Sequence, residues 1–337
     1  TTLAVAALAS ADEDVRELGC LDWILGCQHR ENPAFGPSAR GGWSWTARPG
    51  GVPTVDDTAG ALIALQAWMK NDLASQDHQR IEVAASGGVK WLLEAQGSDG
   101  GWPTFGASTA AKGTLGPSGC DVTAHALRAL GAWRATLVKI SDNSRELRTQ
   151  MDERMTAAID RGLRFLAARQ HADGSWPSLR CHHQRRAGGA SSIHATCQAL
   201  TAYRDLGRLT ASTVPGALEW LMSMKRSDGS WGGGVGVRST PAAQGSVEET
   251  ALAVDTLSTC GQGPAHEAAA GQGLEWLIDA VQANLHQARS PLEYIIARHW
   301  FSERLSPLVG CVATLGRLAR TSRDRSEPPR VAHGAKQ

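Results

Sequence analysis

Two kinds of helix-length segment alternate along the chain. One kind is small and apolar on nearly every face: T-T-L-A-V-A-A-L from Thr1, D-D-T-A-G-A-L-I-A-L over 56–65, C-D-V-T-A-H-A-L-R-A-L over 120–130, S-I-H-A-T-C-Q-A-L-T-A-Y over 192–203, V-E-E-T-A-L-A-V-D-T-L over 247–257, and P-L-V-G-C-V-A-T-L from Pro307. A helix with no polar face belongs inside a protein, and side chains this small let neighbouring helices pack closely about an axis. The other kind, near 13–28, 79–96, 150–170, 214–225 and 264–282, is amphipathic and suits a layer between core and solvent. Thr1, Thr58, Thr123, Thr196 and Thr250 hold equivalent places in successive inner segments, so those segments are copies of one unit.

A second repeat marks the ends of the outer segments. An aromatic residue, five residues on a Gln or a stand-in, and then D-G-x-W recur as W-L-L-E-A-Q-G-S-D-G-G-W (91–102), F-L-A-A-R-Q-H-A-D-G-S-W (165–176) and W-L-M-S-M-K-R-S-D-G-S-W (220–231), with a stretched copy at Trp23, Gln28 and Gly42-Trp43. Each reads as the last turn of an outer helix, a D-G turn that stops it, and a Trp that packs back. The Gln amide is suited to bond backbone at the helix end, beneath the indole. Six inner and five outer helices in alternation predict an all-α fold: a ring of helical hairpins, or α/α toroid, with a central pit, forming one domain over 1–320. The opening T-T-L-A-V-A-A-L-A-S-A has neither a basic flank nor an initiator Met, and reads as an inner helix without its upstream partner rather than as a signal-peptide remnant. The Arg-, Pro- and Ser-rich tail, 321–337, is expected to be disordered.

Composition narrows the function classes. With 337 residues, 42% hydrophobic and 20% charged, and Lys+Arg 34 against Asp+Glu 33, the chain has ample core and no charge bias toward nucleic acid. Its seven cysteines are odd in number and scattered, which reads as reduced thiols in a cytoplasmic protein. No uncharged apolar run reaches about 18 residues, so no bilayer-spanning helix is expected, while a monotopic contact with the inner membrane face stays open.

The chemistry is concentrated at P-T-V-D-D-T-A-G-A-L-I-A-L over 53–65. Asp56 and Asp57 lie in the first turn of an inner helix. Two carboxyls held close together do not both ionise cheaply, so one keeps its proton, and the positive helix end keeps that proton labile. Lining a pit, the pair would present a general acid to hydrocarbon; away from one, it would merely cap a helix. The L-R-C-H-H-Q-R-R segment offers Cys181, His182 and His183, but adjacent ligands do not close easily on one zinc, and neither C-x-x-C nor H-E-x-x-H accompanies them. That segment is expected to be a solvated loop, with phosphate binding by Arg185 and Arg186 the lesser reading. No metal and no cofactor is implied.

The D-G-x-W repeats with their leading Gln resemble the QW motifs of the squalene-hopene and oxidosqualene cyclases, and V-D-D-T-A resembles that family's D-x-D-D motif. The likeness covers nearly the whole chain and corresponds to the half of a full-length cyclase that bears D-x-D-D. It implies a class II terpene cyclase, which protonates a terminal alkene of a linear polyprene such as squalene and closes rings through carbocations held against aromatic faces. On this resemblance the proton donor falls on Asp56 and its companion on Asp57, while Thr54 replaces the first Asp. D-V-T-A-H supplies Asp121 and His125, the imidazole being the group that hydrogen-bonds the donor. Trp45, within Gly41-Gly42-Trp43-Ser44-Trp45, and Phe105 are π faces for a developing cation, and Tyr294, Trp300 and Phe301 in the 291–305 stretch are further pit-lining aromatics. His194 stands where the family commonly has Tyr, and retains the capacity to relay a proton. The family's cavity lies between this toroid and a second helical domain, so the resemblance also implies such a domain or a partner subunit. Two other readings are a non-catalytic toroid that binds a polyprenyl lipid or a partner protein, and a zinc-dependent prenyltransferase subunit, whose ligand pattern is not visible.

Overall fold

The computed structural model describes residues 1–30, 40–47, 51–71, 73–105, 116–140, 145–179, 181–183, 192–232, 245–288, 292–296, 299–301 and 304–326. Six inner helices, α1 (Thr2–Ser10), α3 (Val55–Met69), α5 (Cys120–Ile140), α7 (Ser192–Asp205), α9 (Val247–Cys260) and α11 (Ser306–Ser326), each pack on the next, and α11 returns to α1 to close the ring. Around them run α2 (Leu21–Gly26), α4 (Ser75–Ala95), α6 (Arg145–Arg169), α8 (Thr213–Ser223) and α10 (Pro264–Gln282). This is the all-α toroid that the alternating segments predict.

The repeat motifs explain how each hairpin is locked. Trp43, Trp102, Trp176 and Trp231 are buried, and their indole N–H groups donate to the carbonyls of Ile24, Leu92, Leu166 and Leu221 at 2.7–2.8 Å, closing the ends of the preceding outer helices. Their backbone N–H groups donate at 2.9–3.0 Å to the hydroxyls of Thr58, Thr123, Thr196 and Thr250 near the starts of the following inner helices. The repeated threonine is therefore an acceptor for a buried amide that would otherwise be unsatisfied. Gln28, Gln96 and Gln170 each bridge their own turn to the next outer helix, donating to Gly41 and Ala84, Gly100 and Ala158, and Gly174 and Thr213. The stand-in Lys225 side chain bonds within its own turn, donating to the Arg226 carbonyl at 3.4 Å.

At the turn glycines Gly41, Gly100, Gly174 and Gly229, φ lies between 87° and 99°, and a Cβ would come within 2.9 Å of a backbone oxygen of the next outer helix. Only glycine both adopts that conformation and lets the backbones approach.

The inner helices run parallel, because like ends meet. At their N-terminal ends Gly60 of α3 lies beside Thr2 of α1 and His125 of α5. Toward the C-terminal ends of α1, α7 and α9, charged and polar groups from these helices and from the middle of α5 and α11 link five of the six. Arg128 pairs with Asp205 (2.8 Å), and Arg204 with Asp205 (2.7 Å) and Thr259 (2.8 Å); Arg317 binds Asp255 (2.7 Å) and reaches Ser10 (3.2 Å). Burial opposes ionisation of Asp205, yet Arg128 and Arg204 prevail and hold its carboxyl below the usual range.

Four expectations need correction or restriction. The outer helix expected over 13–28 is broken: Asp14 caps a short 3-10 turn at Val15–Leu18, left-handed Gly19 (φ 60°) ends it, and α2 starts afresh at Leu21. Helix α11 continues to Ser326, past the expected start of the tail, and 327–337 lie outside the described residues. The Cys181–His183 segment is not a loop but strand β3, once β1 (Trp102–Pro103) and β2 (Ser118–Gly119) are counted. It pairs antiparallel with β4 (Leu292–Ile296), which pairs in turn with β5 (His299–Phe301). The physical reason is the partner: L-E-Y-I-I is rich in strand-forming residues and lies too far along the chain for local spacing to reveal the pairing. Arg185 and Arg186 lie outside the described residues. The six cysteines whose side chains are described are free, and burial pushes the Cys120 and Cys197 thiols up to about 12. Among the described residues no helix is long and apolar enough to cross a membrane.

Candidate active site

The start of α3 is clamped before any functional side chain is placed. Thr54 is extended (φ −114°, ψ 156°); its N–H donates to the Trp43 carbonyl, and the Val55 N–H donates to Thr104, each at 3.0 Å, while Thr54 bridges Phe105. Asp56 and Asp57 follow in the first turn. Asp56 Oδ1 lies 2.7 Å from His125 Nδ1, joining α3 to α5, and the two side chains are 39% and 13% exposed. One turn deeper, Gly60 leaves this space clear: a Cβ there would stand 3.6 Å from His125 Cε1 and 3.3 Å from Thr2 Oγ1.

Asp57 is held differently. The Thr54 hydroxyl accepts from its N–H at 3.0 Å and donates to its Oδ2 at 2.5 Å. The cap role and the chemical role, alternatives on sequence alone, are thus divided among three residues: Thr54 caps, Asp57 bonds the cap, and Asp56 turns to the imidazole.

The other predicted positions are spread around the same end. Asp121 is buried; its Oδ1 accepts from the Val122 N–H (2.9 Å) and its Oδ2 from the Ser178 hydroxyl (2.7 Å), tying the start of α5 to the segment that enters α7. Phe105 is half-buried against the Thr54 backbone. Trp45 is 56% exposed, in contrast to its buried neighbour Trp43. His194 is half-buried in the first turn of α7. Trp300 and Phe301 belong to β5 and Tyr294 to β4; their side chains lie outside the described residues.

Sequence reading passed over Glu248 and Glu249. They open α9, which stands opposite α3 in the ring; both are buried, and Ser246 caps their helix as Thr54 caps α3. The signal was present, since V-E-E-T-A repeats V-D-D-T-A in the same register.

A toroid of parallel inner helices, with a carboxyl pair at the head of one and an imidazole on the next, places the protein in the class II terpene cyclase class. Residues 1–288 match the model of the squalene-hopene cyclase C-terminal domain, and the chain belongs to that family. Among curated relatives, the squalene-hopene cyclase of Bradyrhizobium diazoefficiens is 24% identical over 308 residues, covering 82% of this chain and 41% of its own length. The labda-7,13-dienyl diphosphate synthase of Streptomyces clavuligerus is 29% identical over 234 residues, 66% of this chain and 35% of its own. Among solved structures, the ent-copalyl diphosphate synthase from Streptomyces platensis superposes with a TM-score of 0.60 at 22% identity, covering 94% of this chain and 49% of that one. The chain spans less than half the length of the curated relatives it matches, between 18% and 41%.

Proposed function

We propose that this domain starts the cyclisation of a linear polyprene by protonating a terminal alkene from Asp56. The observation that carries the reading is the 2.7 Å contact between Asp56 and His125, made at the end of the toroid where Asp56 remains open. Donation from His125 to one oxygen of the Asp56 carboxyl would draw electron density from it and favour release of the proton on the other. The alkene π pair forms the new C–H bond, the more substituted carbon becomes cationic, and the next double bond attacks it. Asp56 is left as a carboxylate that retains the His125 contact. Phe105, whose backbone bridges Thr54, would on this reading offer a π face to the first cation.

The relatives' names motivate two polyprene types as probes, squalene and geranylgeranyl diphosphate. The test is incubation with each, followed by identification of products by mass spectrometry, for the wild type and Asp56→Asn. The amide preserves shape but has no acidic proton, and loss of a general acid costs about a hundredfold to ten-thousandfold. Cyclic product from the wild type and none from Asp56→Asn is the expected result. Turnover by the variant near the wild-type rate would remove Asp56 from the role.

The proposal includes a cover for the pit mouth. Leu3, Leu305 and Leu308, 42–57% exposed, lie at the N-terminal ends of α1 and α11; Leu179, 39% exposed, lies beside Gly119 at the start of α5, and Trp45, 56% exposed, lies two residues from Trp43, whose N–H bonds Thr58 of α3. Water admitted there would compete for the proton and for any carbocation. A second helical domain or a membrane surface that covers this apolar rim would exclude it.

A further inference from the structure

The position at which this chain departs from D-x-D-D is Thr54, which is 1% exposed and fixed in its backbone by Trp43 on one side and by Thr104 and Phe105, just after β1, on the other. Its hydroxyl does two things at once: it accepts the Asp57 N–H at 3.0 Å and donates to Asp57 Oδ2 at 2.5 Å. An O–H···O separation of about 2.5–2.7 Å is that of a hydroxyl bonded to a carboxylate. The first turn of α3 adds the positive end of the helix, which also favours an anion. Neighbouring carboxyls resist double ionisation. Charge settled on Asp57 therefore leaves the shared proton to Asp56, the member in contact with His125.

We propose that Thr54 is a positioning residue for proton transfer, its hydroxyl holding Asp57 as the ionised member of the pair so that the transferable proton resides on Asp56. An ionised Asp at this position would have no proton to give Asp57. The threonine thus replaces the charge of the family's first carboxylate with a directed hydrogen bond. The inference rests on the reading of Asp56 as donor, and it is tested by a measurement that does not need turnover.

The full chain, with its Asp side-chain carboxyls labelled with carbon-13, is titrated by NMR as wild type, Thr54→Val and Thr54→Ser, with Asp56→Asn and Asp57→Asn assigning the two signals. In Thr54→Val the titration midpoint of Asp57 is expected to rise by about one pH unit or more, and Thr54→Ser to return it toward the wild-type value. Should Thr54→Val fail to fold, Thr54→Gly removes the same hydroxyl while remaining an acceptable cap residue. An Asp57 midpoint unmoved in the hydroxyl-less variant overturns the proposal. With squalene or geranylgeranyl diphosphate as probe, kcat should fall about tenfold or more in Thr54→Val with little change in KM, and Ser should recover most of it. No turnover by the wild type with the rim covered by detergent or lipid vesicles would defeat the reading of Asp56 as donor and leave the titration to decide the role of Thr54.

Discussion

Asp56 and His125 are 69 positions apart in the chain and 2.7 Å apart in space, because each lies in the first two turns of neighbouring parallel helices. On the proposed mechanism His125 touches the donor and not the alkene. His125→Ala should therefore lower turnover less than Asp56→Asn, by about tenfold to a hundredfold. An unchanged steady-state rate would remove the imidazole from the reaction. This pair was legible in the sequence through the resemblance of V-D-D-T-A and D-V-T-A-H to the cyclase motifs, with both residues at the starts of inner helices. The role of Thr54 was not, since a Thr for Asp exchange reads as a lost carboxylate until the direction of its hydroxyl is known.

At the level of the element, the D-G turn is the joint on which the hairpins depend. Gly174 has φ 93°, and a Cβ would meet the Gly216 carbonyl oxygen at 2.2 Å, whereas Gly207 has φ 66° with open space around it. Gly174→Ala should cost about 3 kcal/mol or more, since strain and a backbone clash combine. Gly207→Ala should cost about 1–2 kcal/mol, from conformation alone. Urea unfolding monitored by circular dichroism checks both, and equal losses would show that the turn does not seat on the outer helix as described. The broken first outer helix and the β3–β4 pairing lay beyond the periodicity: one is decided by a left-handed glycine in the middle of a helical pattern, the other by a distant strand.

Across the whole molecule, the two ends of the ring differ in chemistry. The C-terminal end carries the ion pairs, while the N-terminal end is tied by the hydrogen bonds of the repeats and exposes Leu3, Leu305 and Leu308. Asp205, held below its ordinary value by Arg128 and Arg204 against the effect of burial, adds stability that is present above the ordinary carboxylate value of about 4 and is lost as pH falls through the folded-state value. The wild type should thus exceed Asp205→Asn in urea midpoint at pH 6, and the gap should close below about pH 4. A gap independent of pH would assign the loss to packing. At the other end, the chain by itself should bind an apolar dye and tend to associate or take up detergent. A dye-free monomer would argue against any need for a cover over the rim.

The sequence by itself determined the alternation of inner and outer helices, the threonine and tryptophan registers, and the acidic motif, because each rests on short-range periodicity and on residue types with few physical uses. Tertiary structure decided how the ring closes, how far apart Asp56 and His125 stand, and that the Thr54 hydroxyl bonds Asp57 in place of a carboxylate. It also set a second buried acidic pair, Glu248 and Glu249, across from the first. Those features depend on the relative rotation and depth of helices that are remote in the chain. Small residues packed closely about an axis fix such rotations through the sum of many contacts, and no local pattern records that sum.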